Sequence, residues 1–165
     1  MTAQDKFDGL MRDHFAPWLK ERGFRRRDAT FRRSVDDNWQ IINRQRSRYS
    51  DAGHVSFTVN LGVALAVLQD DAPSWAARGW PLEYECDFPV RSVAKDVIGT
   101  LERVGLPWLD LHSDGPGLLS HAFSDLSAVS ALNLGSLVSL ADAIGTPEQL
   151  RAAERELASW QAGGR

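Results

Sequence analysis

The sequence predicts an α+β fold: an antiparallel sheet of about four strands packed with an N-terminal helix and a helical C-terminal half. Three observations carry this. Phe7, Leu10, Met11, His14, Phe15, Trp18 and Leu19 recur in steps of three and four, which places them on one side of a helix. Residues 55–65 alternate instead. Val55, Phe57, Val59, Leu61, Val63 and Leu65 fall on one side, and Ser56, Thr58, Asn60, Gly62 and Ala64 on the other, the period of a half-buried strand. Strand signals fill the first half of the chain and helix signals the second, a segregation typical of α+β folds.

Element by element, the first helix should end at Gly23, with Pro17 kinking it near Ala16 because proline has no N–H to donate. "FRRRDATFRRS" (24–34) reads as a hairpin turning at Asp28–Ala29. Asp36–Asn38 is a second turn, 39–48 a strand, 50–54 a third turn, and 55–65 the clearest strand. Short connections make these strands antiparallel neighbours. Residues 69–81 read as a loop with one helical turn at Pro73–Arg78. Residues 82–88 read as an edge strand, with Leu82, Tyr84, Cys86 and Phe88 opposite Glu83, Glu85 and Asp87. Ser92 is expected to cap a helix over 93–104 that Gly105 ends, and "LPWLDLHSDGPG" breaks the pattern. Residues 118–143 give one or two helices interrupted near Asn133–Gly135. Thr146, Pro147 and Gln149 form a helix start whose helix reaches about Trp160. The expectation is one domain over 1–165, sheet-rich at 24–88 and helical at 92–161, without an internal repeat.

With 165 residues, 43% of them hydrophobic, the chain can fill one core. No apolar run reaches membrane-span length, and the N-terminus lacks the basic start and apolar middle of a signal peptide. Cys86 has no second cysteine for a disulfide or a metal knuckle. A cytoplasmic bacterial-type protein with no membrane partner is the expectation. The charge is segregated. Net charge is −3, yet Lys20–Arg48 holds ten basic residues against four acidic ones.

Where those cations point depends on one strand. Trp39, Ile41, Asn43, Gln45 and Ser47 share one side of it; Gln40, Ile42, Arg44, Arg46 and Arg48 share the other. One reading sends the arginine stripe into water beside Ser56, Thr58 and Asn60. The other makes Asn43, Gln45, Ser47, Thr58 and Asn60 a polar patch across two strands, the arginines being displaced to an edge or covered. A slip of one residue exchanges the two.

The motifs at Gly23, Phe24, Thr30, Phe31, Asn43, Gln45, Ser47, Phe57, Thr58, Asn60, Leu61 and Gly62 resemble an uncharacterised bacterial family, one of the numbered domains of unknown function. The likeness covers roughly residues 15 to 110 and implies a shared fold and no activity. Arg44 stands where that family has an apolar residue.

Catalytic apparatus is sparse. His14 reads as a core histidine, and His54, His112 and His121 show no paired-ligand spacing, so no metal and no cofactor is expected. Glu83, Glu85 and Asp87 read as a solvated edge that discourages strand pairing. Neighbouring acids dull Cys86 as a nucleophile, and no nucleophile elbow or phosphate loop is present. Catalytic residues are unknown, and an enzyme is the weaker alternative, with Asn43, Gln45 and Asn60 walling a cleft between sheet and helices. Nucleic acid is a second alternative: Arg25, Arg26, Arg27, Arg32, Arg33, Arg44, Arg46 and Arg48 would meet phosphates while Tyr49 stacks. The acidic whole and the lack of an exposed aromatic pair oppose it. The favoured expectation is a non-enzymatic protein-binding or accessory module, toxin-neutralising by analogy alone. Its cationic polar sheet face would comprise Arg44, Arg46, Arg48, Asn43, Gln45, Thr58 and Asn60. Trp75, Trp80 and Trp108, in or beside loops, either anchor contacts or cap the core.

Overall fold

Helix formation begins at Thr2, whose hydroxyl accepts the Asp5 N–H at 3.1 Å while the Asp5 carboxylate accepts the Thr2 N–H at 2.8 Å. This closed capping box satisfies two backbone donors at the helix start. The computed structural model describes residues 1–68, 75–77 and 81–163. From Thr2 the chain runs through α1 (Ala3–Leu10), a π-helical turn (Met11–Phe15) and α2 (Ala16–Glu21), with helical backbone at both junctions. The π turn sits directly ahead of Pro17. Its wider winding takes up the missing donor and the ring's bulk, where the sequence suggests a kink. Gly23, at φ +83°, ends the helix as expected.

Among the described residues six strands follow, two of them of three residues, where the sequence predicts about four: β1 (Arg25–Arg27), β2 (Thr30–Val35), β3 (Asn38–Arg46), β4 (His54–Ala64), β5 (Trp75–Ala77) and β6 (Pro81–Glu85). All pair antiparallel in the order β1-β2-β3-β4, and β5 and β6 share the far edge of β4. Two-residue links join β1 to β2 and β2 to β3. Each opens with an aspartate at positive φ, Asp28 (55°) and Asp36 (51°), and aspartate tolerates that conformation better than most residues. The expected helical turn at 73–78 is strand at 75–77, and its other residues lie outside the described ones, as does Trp80. β6 stops at Glu85, so Cys86 is exposed instead of facing inward.

The second half supplies α3 (Val90–Thr100), a π turn (Leu101–Gly105), α4 (Leu106–His112), α5 (Gly115–Ser124), α6 (Ala131–Ile144) and α7 (Pro147–Gly163). Four expectations change here. The helix starts at Val90 behind Pro89, so Ser92 lies inside its first turn and caps nothing. Gly105 does not stop the helix. It is buried, and a Cβ there would meet Leu101 Cδ2 at 2.6 Å and Leu61 Cδ1 at 3.5 Å, so the glycine lets the helix approach the sheet. "LPWLDLH" is therefore helical. The break in the apolar stretch falls at Asp125–Ser130, and Asn133–Gly135 lies within α6. The capping box at Thr146 forms as expected, through Gln149 at 2.9 and 3.2 Å.

The sheet contributes to the main hydrophobic cluster from one side, through Phe31, Ile42, Val55, Phe57, Val59, Leu61 and Val63, which meet Phe7, Leu10, Phe15 and Leu19 of the first helix and Val97, Leu101 and Leu109 of the second half, while Ile41 and Ala64 are buried on the other side. Phe7 lies 4.9 Å from Phe57, ring to ring, and Phe15 meets Phe31 edge-on at 5.5 Å. Full burial of each such ring stabilises the fold by roughly 1.5–3 kcal/mol. That main cluster fixes which side of every strand is inner and which is outer.

Candidate functional site

Register settles the orientation of β3. Arg44 pairs across to Val59 and Arg46 to Phe57, so both arginines project to the inner side with Ile42; Asn43 pairs to Asn60 and Gln45 to Thr58 on the outer side. The residues singled out from the sequence therefore occupy two opposite sides of the sheet. The polar patch is the outer one. Asn43 donates to the Thr30 hydroxyl at 2.9 Å and Asn60 to Gln45 Oε1 at 3.2 Å, and all of these side chains keep some contact with solvent. Asn43, Gln45 and Asn60 consequently wall no cleft between sheet and helices. Arg44 instead lies over the Phe7 ring, 5.5 Å from its centroid, with a buried Nε that has no hydrogen-bond partner. Arg46 donates to Gln4. Arg48 follows the strand and folds onto Tyr49, 5.0 Å from the ring.

Two arginines of the basic segment are neutralised by the helical half. Arg22 binds Glu102 at 2.8 Å while its guanidinium stacks on Trp18 at 4.1 Å. Arg33 binds Asp110 at 3.0 Å, and the fully buried Gln40 joins them: its Oε1 accepts from Arg33, and its Nε2 donates to the same carboxylate at 3.0 Å. A buried amide with both ends satisfied locks β3 to α4. Arg12 pairs with its neighbour Asp13 at 2.7 Å in full view of solvent. Among the described residues, Lys20, Arg25, Arg26, Arg27 and Arg32 have no ion pair.

Four cations converge on one groove. Arg12, Ala16 and Lys20 recur every fourth residue, so they share one side of the first helix. With Pro17 they face Phe24, Arg25, Arg26 and Phe31 across a groove of about 510 Å³ whose lining contains no acid. Phe24 and Phe31, 2% and 1% exposed, form its apolar base. The sheet ends at β1, so the groove runs beside an unpaired strand edge. A two-residue link closes on the hydrogen-bonded pair Arg27–Thr30, which leaves the N–H and C=O of Arg26 directed away from β2. Arg44 feels the same field. Burial lowers its pKa most, Arg26 and Arg46 lower it further, and Asp8 offsets them in part. Lys20 and Arg12 are absent from the sequence-derived set. Their four-residue spacing was visible, but its meaning depends on a strand edge that only folding places opposite.

A second hollow of about 320 Å³ lies between β4, β6 and α3, lined by Val59, Leu82, Tyr84, Asp96, Val97, Thr100 and Leu101. Its polar groups are few. Burial and the nearby Asp96 raise the Tyr84 pKa, and the Thr100 hydroxyl donates to the Asp96 carbonyl at 2.8 Å within its own helix. His112 is buried; it donates from Nδ1 to the Trp108 carbonyl at 2.7 Å, stacks on the Trp108 ring at 4.3 Å and meets His121 edge-on. Trp108 thus sits in helix α4, partly buried against the core, and in no loop. Glu83 and Glu85 project to the outer side of β6, where Glu83 accepts from the Ser56 hydroxyl at 3.3 Å. Among the described residues, no three His, Cys, Asp or Glu side chains are grouped to hold a metal, and no helix is long and apolar enough to cross a membrane.

A family model described as Domain of unknown function (DUF4304) matches residues 15–111, which include the sheet, the strand wall of the groove and most of α3–α4. No curated protein and no solved structure matches the chain.

Proposed function

The chain belongs to that family of unknown function, which brings a fold and no activity, and we propose that it is a non-enzymatic protein-binding module for an acidic partner. The observation that supports this is the uneven pairing of its arginines. The acids of the helical half take up Arg22 and Arg33, while Lys20, Arg25, Arg26, Arg27 and Arg32 remain without ion pairs at the β1–β2 end. Arg44 and Arg46 extend that cationic end on the inner side, and Arg48 follows it past the strand. Around the edge, Asn43, Gln45, Thr58 and Asn60 offer hydrogen-bonding groups on the outer side. Arginine suits such a surface because it is weakly hydrated and binds carboxylates in a bidentate fork.

A single-stranded nucleic-acid partner would need exposed rings for base stacking. The aromatics of the groove are buried; of the exposed rings, Tyr49 is covered on one side by Arg48 and Trp39 stands on the outer side of β3, away from the groove. The test is affinity purification from the source cells with the wild type and the exposed double variant Arg25→Glu/Arg26→Glu. The expected result is an acidic protein recovered by the wild type and reduced about tenfold or more by the variant, since like charge across an interface costs several kcal/mol. The variant's thermal midpoint should stay close to that of the wild type. Equal recovery of the same proteins by both, or recovery of nucleic acid in place of protein, would overturn the proposal.

A further inference from the structure

We infer that the groove between the first helix and β1 receives an extended acidic peptide of a partner protein, which adds as a strand to the free edge of β1. The inference rests on the binding-module reading and specifies its ligand and geometry. The edge offers backbone hydrogen bonds through Arg26, and strand addition to an exposed edge is a recurring mode of peptide capture. An edge of three consecutive arginines is also selective. A second copy of the chain would set arginine against arginine, which is destabilising, whereas an acidic strand would bring carboxylates to them.

The helix wall sets the peptide's pattern. Arg12 and Lys20 are eight residues apart, or about 12 Å along a helix. An extended chain covers that span in roughly three and a half residues. Two acids four positions apart therefore fit the two cations on the same side of the peptide, one meeting the unpaired Lys20 and the other competing with the exposed Asp13 for Arg12. The residue midway points to the same side and meets Ala16, Pro17 and the phenylalanine base, so it should be apolar. The motif is acid, any, apolar, any, acid. Arg26, which lines the groove, is also one of the like charges acting on Arg44, so a carboxylate paired with Arg26 would ease that repulsion.

Fluorescence anisotropy tests this with a labelled peptide, Thr-Glu-Thr-Val-Thr-Glu-Thr, on the full chain. Three comparison probes accompany it: the same peptide with lysine for glutamate, the same peptide N-methylated at alternate backbone nitrogens, and an oligothymidylate. The expected result is binding of the parent peptide that weakens about tenfold or more on Lys20→Glu, on Arg26→Glu, on N-methylation and on lysine replacement. Lys20 and Arg26 are exposed, so neither change disturbs the core. No binding of the acidic peptide overturns the inference. An N-methylated peptide that binds as well as the parent also overturns it, but leaves the acidic-partner reading standing if Arg25→Glu/Arg26→Glu still abolishes capture. Oligothymidylate bound in preference to every acidic peptide overturns both.

Discussion

Residues 9–19 and 99–109 carry glycine, proline, tryptophan and leucine at matching places ninety residues apart: Gly9 and Gly99, Pro17 and Pro107, Trp18 and Trp108, Leu19 and Leu109. Each segment winds through a π turn just ahead of its proline. Four residues after each tryptophan, Arg22 and His112 do the same two things, donating to the tryptophan carbonyl and stacking on its ring. The likeness is too short to read as a repeat in the sequence. The difference lies in charge. Where the first helix has Arg12 and Lys20, the second has Glu102 and Asp110. The acids of the second bind Arg22 and Arg33 across the fold, whereas the cations of the first face a groove, Lys20 without an ion pair and Arg12 paired only with its neighbour Asp13. One helical device thus serves cohesion in one place and display in the other.

The shared part of the comparison predicts the largest effect. Leu19 and Leu109 are both fully buried. Leu19→Ala and Leu109→Ala should each cost about 2–5 kcal/mol, measured by urea unfolding. A cost near zero at either site would break the equivalence of the two helices.

The unlike part predicts a smaller and asymmetric effect. Asp110→Ala strips the buried Gln40 amide and Arg33 of their shared acceptor, and leaving such a donor unsatisfied costs about 1–3 kcal/mol. Lys20→Ala, at the matching place, removes an exposed charge and should stay within about 0.5 kcal/mol. If Lys20→Ala proves the costlier of the two, its charge is being used inside the fold and the groove is not a display surface.

Legibility in the sequence followed the range of the interaction. The alternation of 55–65, the turn at Asp28–Ala29 and the capping box at Thr146 are local, and the structure reproduces each one. Gly105 reads as a helix stop, and the stretch from Leu106 as a break, because that rule is local too. In the folded chain Gly105 lets the helix pass close to Leu61, and the π turn accommodates the proline. The side taken by Arg44 was not legible, since cross-strand register decides it. Nor could the sequence separate paired arginines from unpaired ones. Arg22 and Arg33 find their acids eighty and seventy-seven residues away, and the acid of Arg33 lies on the helical stretch past Gly105 that the local rule excludes.

The smallest predicted effect distinguishes the two stacked residues, Arg22 and His112. A guanidinium has no proton to lose near neutrality, whereas an imidazole does. His112 is buried, and desolvation lowers its pKa most; the Trp108 carbonyl raises it in part, and His121 lowers it again. In the unfolded chain it titrates near the ordinary value of about 6.5. Below that value the unfolded state binds the proton more readily than the folded state. The stability His112 contributes is therefore complete above about pH 6.5 and is lost as pH falls from there toward the lowered folded value. The loss amounts to about 1.4 kcal/mol for each unit separating the two values. Urea midpoints at about pH 7.5 and 5.5 should fall for the wild type and change less for His112→Asn, which cannot titrate. A decline of the same size in His112→Asn would assign the pH dependence to groups other than His112, and the stacked pair of the second helix would then be electrostatically as silent as that of the first.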